Sequence, residues 1–541
     1  MNIPVITAYI KRRNRRKLFA MMRGYYFLKK TNSLGAIMDA KNILVDTPLN
    51  IPKNKTTEFF FASASSSRER VTIDFLIRTV GNYSLNKSLL ASLGKKNGAI
   101  VFPLPRNWRS ALKTGGWNIS NKKSACLWGI FLIACWLYGM LVLLKAFFLG
   151  IFKFEKTQKL RSRSKTKTHF CGLSENEIVS SDSNKNYDII SWYLQWSGRA
   201  ENMDEITHNI KTANEIVINS IRILWADPLE PIRGLKSNLL FLNWGVGAVL
   251  LSLIELIKGN WWYPLMLREM VVSQIHKRNK FHAPVFMFPA HEKRRRAWTY
   301  EAEKKGSQVK MYFYSINTEN ILKSETFVSK SYHFRKISWP EILVWDQHHK
   351  RVLESSQAAG KIREVGPIWF SDADKEVPFF PKRTIALFDV TPRRISTYAW
   401  LGLRDEYYLS ENINRFLDDI VDVAEAQKWQ IALKGKRNLN TKSYRSTPKN
   451  YLKRINTLVT NKRIISIPAE VSAVKLIEKC HLTISFPFSS PSIMALSMGK
   501  KSCFYNPSEG IKVNEDGAHG VLIIHGKTQL KEFLSNETTH S

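Results

Sequence analysis

An α/β fold is predicted for this 541-residue chain: two doubly wound domains facing a cleft, with a hydrophobic, membrane-associating helical insertion in the N-terminal half. Three observations carry that expectation. Strand and helix signals alternate regularly from residue 376 to the end, the same rhythm recurs more weakly between residues 284 and 370, and an apolar run from Ala125 to Leu144 interrupts the first half.

Residues 1–120 are expected to begin the N-terminal α/β domain behind a basic N-terminus. Thr57 to Ala62 and Ala99 to Leu104 read as strands, Arg68 to Val80 and Trp108 to Lys113 as helices. Charges break the apolar residues of Met1 to Tyr26 and no small-residue cleavage site follows an apolar core, so no secretory signal is read. Residues 121–160 form the hydrophobic segment. Its 20 uncharged residues, Ala125 to Leu144, are long enough to cross a bilayer. Cations lie on both sides, Lys122 and Lys123 before it and Lys153 to Lys167 after it, which is awkward for a single crossing. Gly139 and Lys145 suit a re-entrant or interfacial helix pair with both ends on the cytoplasmic side; a true span and a soluble core element stay open.

Residues 161–190 read as a polar linker and residues 191–375 as the remainder of the first domain. From Trp192 to Ile275 the pattern is mostly helical, and Leu239 to Ile257 is expected to be a buried or interface-lying helix. Strands follow at Pro284 to Phe288, Gln308 to Tyr314 and Ile342 to Trp345, with a helix from Arg294 to Lys304. Residues 376–541 form the second domain, with strands at Arg383 to Phe388, Trp429 to Lys434, Arg463 to Ile467, Leu482 to Phe486, Ser502 to Tyr505 and Val521 to His525. Intervening helices imply a parallel sheet, and ligands bind such sheets outside the carboxyl ends of the strands.

Composition narrows the partners. With 82 Lys and Arg against 45 Asp and Glu, the net charge is +37, spread over several clusters, so anionic partners are expected. Nucleic acid, lipid headgroups and sugar nucleotides all carry that charge. No RRM, KH, helix-turn-helix or zinc-finger pattern accompanies it, which speaks against nucleic acid. The five cysteines are scattered without a Cys-x-x-Cys pair, which argues against zinc and a disulfide framework and for a reducing, cytoplasmic setting. Neither a Walker loop nor a dinucleotide-binding glycine motif is present.

The richest local signal is Leu482 to Ala495, where a short apolar strand runs through Phe486-Pro487-Phe488-Ser489-Ser490-Pro491 into a helix. Ser489 and Ser490 at a helix start supply hydroxyls beside free amides and the positive end of the helix dipole, a setting for phosphate; the alternative is a simple helix cap. Lys434-Gly435-Lys436-Arg437 and Ile467-Pro468 end neighbouring strands on the same rim, offering cations for phosphate and exposed backbone for a base. That convergence favours nucleotide-phosphate binding over capping.

The motif Phe486 to Pro491, followed by Ala495 and Gly499-Lys500-Lys501-Ser502, resembles the signature of the PFTS-motif polysaccharide biosynthesis proteins, with Ser489 where that name has Thr. Glu292-Lys293-Arg294, Trp298 to Glu303 and Phe313-Tyr314-Ser315 are similar to the same group. The resemblance implies a GT-B-like glycosyltransferase of surface-carbohydrate assembly, with two Rossmann-like domains. Its C-terminal domain would hold the sugar nucleotide and its N-terminal domain a lipid-linked or glycan acceptor, at an anionic membrane surface on the cytoplasmic face of the inner membrane. Where related enzymes using monophosphate donors have His-Pro, this chain has Lys434 to Arg437, which leaves the donor class open.

Departure of the nucleotide then falls to Lys434, Lys436, Arg437, Ser489 and Ser490, without metal or other cofactor. Glu292 is the first candidate for the acceptor base, Asp346 the second and His348 the third. Asp372-Ala373-Asp374 has the spacing of a metal-bridged pair, but it follows Gly366-Pro367 and is expected to be a solvated turn. A noncatalytic polysaccharide assembly factor and a basic nucleic-acid-binding protein are the rival readings.

Overall fold

The computed structural model describes residues 3–61, 65–81, 83–152, 168–173, 188–197, 208–211, 215–218, 221–224, 232, 234–278, 283–292, 294–315, 334–368, 376–380, 383–396, 399, 408–435, 447–469, 471–507 and 516–535. The chain opens with helices α1 (Ile3–Lys30), α2 (Ala36–Asp46), α3 (Lys55–Phe60), α4 (Ser65–Thr79), α5 (Tyr83–Leu93) and α6 (Arg106–Thr114). The two strands expected here are not formed. Thr57 to Ala62 lies largely in α3, because Asn54 caps the helix by accepting the Thr57 amide at 2.8 Å and Phe60 is buried against Tyr263. The β-propensity of Thr and Phe yields to those contacts. In Ala99 to Leu104 only Ile100 pairs, in a single bridge to Ile119.

The hydrophobic segment is one continuous helix, α7 (Asn121–Phe152). Gly139 does not interrupt it. A Cβ there would stand 2.8 Å from Leu267, so the glycine admits a neighbouring helix at close range.

The first sheet is built from β1 (Thr168–Cys171), β2 (His208–Lys211), β3 (Glu215–Ile218), β4 (Ile221–Leu224), β5 (Val285–Pro289), β6 (Gln308–Tyr312), β7 (Glu341–Val344) and β8 (Lys361–Glu364). Its order is β2-β3-β4-β1-β5-β6-β7-β8, parallel from β4 to β8 with an antiparallel β2-β3-β4 edge. Helices α8 (Asp188–Trp196), α9 (Leu235–Ile257), α10 (Trp262–Arg278), α11 (Trp298–Lys304) and α12 (Gln347–Ser355) intervene. Two expectations are corrected here. β1 falls inside the supposed linker, and β2 to β4 fall inside the supposedly helical stretch. β1 is four residues long and buried on both faces, so it shows neither length nor alternation.

The second sheet is entirely parallel, in the order β11-β10-β9-β12-β13-β14. Its strands are β9 (Thr384–Phe388), β10 (Gln430–Lys434), β11 (Ile465–Ile467), β12 (Leu482–Ser485), β13 (Lys501–Asn506) and β14 (Leu522–His525). Helices α13 (Ser410–Ala426), α14 (Lys449–Thr460), α15 (Ala473–Lys479), α16 (Ser490–Ser497) and α17 (Gly526–Ser535) connect and cover them. Two parallel α/β sheets, with two long apolar helices in the first half, make the GT-B-like arrangement expected.

The N-terminal helices are bound to the first sheet's domain by polar ties, one of them fully buried. Asp74 of α4 pairs with Arg294 at 3.3 Å, both sequestered from solvent, and accepts the Ser338 hydroxyl at 2.9 Å. Asp46 of α2 holds Arg335 and Lys336, each at 2.7 Å. Breaking a buried pair strands the remaining charge. Asp74→Ala is therefore expected to lower stability by about 3–5 kcal/mol in urea unfolding; a loss under about 1 kcal/mol would show that the pair does not secure the helical unit.

Candidate active site

β9 sits in the middle of the second sheet, and its register levels the rim. Phe388 pairs with Lys434 on one side and with Ser485 on the other, and Lys434 pairs in turn with Ile467. With strands about 4.8 Å apart, Lys434 and Ser485 stand about 10 Å from each other across β9. Strand order reverses between β9 and β12, so the segments following these two strands border the topological switch point, the usual ligand crevice of an open sheet.

The segment after β12 is the Pro-bracketed serine pair. Phe488 adopts φ +59°, a left-handed conformation that a bulky residue rarely takes, and its ring packs 5.9 Å from that of Phe504. This turn drops the chain into α16. Ser489 is the N-cap residue but does not cap: its hydroxyl donates to the Phe486 carbonyl at 2.7 Å and makes no bond to the first-turn amides. The cap expected at Ser490 is not there, because Ser490 is already the first helical residue and the N-cap position falls to Ser489. Ser490 opens the helix, half-buried, with Pro491 next to it. Beneath them, Ser485 donates to Ser492 at 2.6 Å and Ser492 donates to the Cys503 carbonyl at 2.8 Å, pinning α16 to β12 and β13.

Lys434 is buried and its ammonium donates to the Ala469 carbonyl at 3.0 Å, bracing the loop that begins at Ile467 and Pro468. Ile467 is buried and Pro468 exposed. Lys436 and Arg437 lie outside the described residues, as do Asp372 and Asp374.

Asp389, immediately after β9, was not among the sequence candidates. It is buried beside the switch point and accepts the Tyr451 hydroxyl at 2.6 Å. Burial pushes its carboxyl up to about 6, against the opposing pull of the Tyr451 hydrogen bond. The available signal was its position, an acid directly following the central strand.

In the first sheet, Glu292 and Asp346 both follow strand ends. Glu292 ends a short turn after β5, half-buried, with its carboxylate held by Arg296 at 2.7 Å. Asp346 follows β7 and does two jobs: it caps α12 by accepting the His349 amide at 2.9 Å, and it pairs with His519 Nδ1 of the second domain at 2.8 Å. Burial alone would raise the Asp346 carboxyl, but the hydrogen bond and charge of His519 and the His349 amide hold it below its ordinary value. His348 lies with its ring 6.1 Å from that of His519. The His349 ring is sequestered 4.3 Å from Phe313, and burial pushes it down to about 3, so it stays neutral. His519 was missed because an isolated histidine before Gly520 carries no pattern. Glu292 and Asp346 are not brought together; β6 separates their strands.

Residues 244–534 match the family described as polysaccharide biosynthesis PFTS motif protein, and the chain belongs to that family. No curated protein matches it at a significant level. Among solved structures, it is similar to trehalose-6-phosphate synthase from E. coli bound with UDP-2-fluoro glucose, at 8% identity and TM-score 0.36 over 69% of this chain and 92% of the other. It is also similar to the trehalose-phosphate synthase from Burkholderia xenovorans, at 8% identity and TM-score 0.36 over 69% and 92%. S. aureus TarM is matched at 10% identity and TM-score 0.28 over 50% and 54%.

The raised Asp389 carboxyl makes a signed prediction. A folded-state value above the unfolded one favours the protonated form, so wild-type stability falls as pH rises from about 3.8 toward about 6. Asp389→Asn removes that dependence while keeping an acceptor for Tyr451. Its stability relative to wild type should rise by about 2 kcal/mol between pH 4.5 and 7.5 in urea unfolding; a pH-independent difference would mean that the carboxyl does not titrate in this range.

Proposed function

We propose that the protein is a glycosyltransferase of surface polysaccharide biosynthesis, passing a sugar from a nucleotide-sugar donor to a lipid-linked or glycan acceptor at the cytoplasmic face of the inner membrane. The observation that carries this reading is the switch-point turn of a PFTS-family chain, where Ser489 leaves the start of α16 without a side-chain cap. The first-turn amides, the helix dipole and the Ser490 hydroxyl then serve the donor phosphate, and rotation about χ1 adds the Ser489 hydroxyl. Lys434, Lys436 and Arg437 supply cationic charge as the nucleotide leaves, and Ile467 and Pro468 border the base. Transfer by this route needs no divalent metal.

Of the two carboxylates in the first domain, Glu292 suits the acceptor base better. It is half-buried after β5 and bound by one arginine, whereas Asp346 is already engaged by the α12 amide and by His519. Asp346 then serves to hold the two domains in their working relation. The exposed apolar faces of α7 and α9 support residence at a membrane.

Three measurements test the reading. In a thermal-shift panel of CMP, UDP, GDP and their sugars, one nucleotide family should stabilise the protein selectively, and Ser489→Ala with Ser490→Ala should weaken that binding by at least about tenfold. No shift with any nucleotide, or an unchanged affinity in the double variant, overturns the donor site. Glu292→Gln should abolish transfer while leaving nucleotide binding intact, and activity should persist in excess chelator.

A further inference from the structure

Helices α7 and α9 pack as an antiparallel pair. Trp136 Nε1 donates to Ser252 Oγ at 2.8 Å, a Cβ on Gly245 would stand 2.3 Å from Leu143, and one on Gly150 would stand 2.3 Å from Asn238. These contacts advance by seven residues along α7 and retreat by seven along α9, so the pair keeps one register over about 21 Å.

Their outward faces are mainly apolar, and the exposed Lys145 of α7, between Leu141 and Phe148, can extend its ammonium along its flexible stem to the headgroup layer. On α7, Ile130, Leu137, Leu141 and Phe148 recur at helical spacing and are 45–63% exposed, and on α9 Leu250 is 55% and Ile257 81% exposed. A water-facing helix shows the reverse pattern. An apolar face of this extent on a soluble surface marks an interaction site.

Connectivity decides how that face can meet a bilayer. Before α7, the chain is tied to the first sheet's domain through Asp74–Arg294 and Asp46–Arg335. After α7 comes β1, hydrogen-bonded to β5 of that domain, and before α9 comes β4, hydrogen-bonded to β1. After α9 the chain enters α10, buried in the same domain. Both ends of both helices therefore belong to one body, and a crossing would set β1 on the far side of the membrane from β5.

Charge identifies the leaflet. Among the described residues of the two helices the only carboxylate is Glu255, buried and engaged by Lys258 and Asn260. At the foot of α7, Leu127 opens onto a cavity of about 820 Å³ whose walls carry Arg16, Lys17, Arg23 and Lys95. Apolar side chains beside a basic cavity match acyl chains beside anionic headgroups.

We propose that α7 and α9 lie side by side within one leaflet of an anionic phospholipid bilayer, with the basic cavity in the headgroup layer, and that neither helix crosses. This rests on the membrane part of the function proposed above and fixes its geometry. The full chain should float with vesicles containing phosphatidylglycerol and only weakly with phosphatidylcholine alone. Leu141→Asp with Leu250→Asp, both on outward faces, should reduce flotation at least about tenfold while leaving the thermal melt in detergent unchanged.

For topology, Lys122→Cys and Lys236→Cys are placed singly in a Cys126→Ser background and treated with a membrane-impermeant maleimide on sealed inside-out vesicles from expressing cells. Both positions are expected to react without permeabilisation. Membrane retention with one of them protected overturns the single-leaflet geometry and leaves the membrane reading standing. Absence of flotation overturns both, without touching the nucleotide-binding test. A concentration-dependent dimer that ignores vesicles would assign the apolar face to a second copy and overturn the proposal.

Discussion

The register of β9 against its two neighbours governs the candidate donor site. Parallel hydrogen bonding on both sides fixes Phe388 level with Lys434 and with Ser485, so the loops that follow three strands leave the sheet at one height. A one-residue slip of any of these strands would move its side chains to the other face of the sheet. From that row come the left-handed turn at Phe488, the buried acid at Asp389 and the lysine that braces the Ile467 loop. The hydroxyl chain from Ser485 through Ser492 to Cys503 then fixes the angle at which α16 points at the crevice. Backbone strain at Phe488 is tolerated because the sheet edge and the aromatic contact with Phe504 leave the turn little alternative.

The two domains share one continuous apolar cluster, and a polar contact adds to it. Asp346 faces two ways, completing α12 in its own domain and receiving His519 from the other, and the neutral His349 ring fills the apolar space behind it. Such a contact is weak beside a hydrophobic core, since interdomain interfaces within a chain are small and comparatively polar.

Legibility in the sequence followed element length and periodicity. Every strand of the second sheet was visible, because each is an apolar run bounded by turn residues and separated by a helical repeat. The serine turn was visible for the same reason, as a strand, two prolines and a helix in direct succession. β1 was not, because Thr168 to Cys171 is too short and too fully buried to show alternation inside a Lys- and Ser-rich stretch. α3 was misread because Thr57 and Phe60 favour strands in isolation, while Asn54 and Tyr263, one local and one distant, settle the helix. Asp389 and His519 needed tertiary information outright: their roles arise from partners 62 and 173 residues away.

The surplus of 37 positive charges acquires a structural explanation from the same contacts. Many acidic side chains are committed to internal ties. Asp74, Glu269, Asp346 and Asp389 are bound by partners inside the fold, and Asp418, Asp422 and Glu425 of α13 engage Arg454, Arg463 and Lys527 around the second sheet. Apart from Asp389, whose partner is the uncharged Tyr451 hydroxyl, these carboxylates neutralise their own partners and few others. Among the described residues, Arg16, Lys17, Arg23 and Lys95 border one cavity at the foot of α7, which places positive potential where that apolar helix begins. Placing the same number of acids on that surface would remove the field without changing the core, so the location of the acids, as much as the number of lysines and arginines, determines which partner this surface can attract.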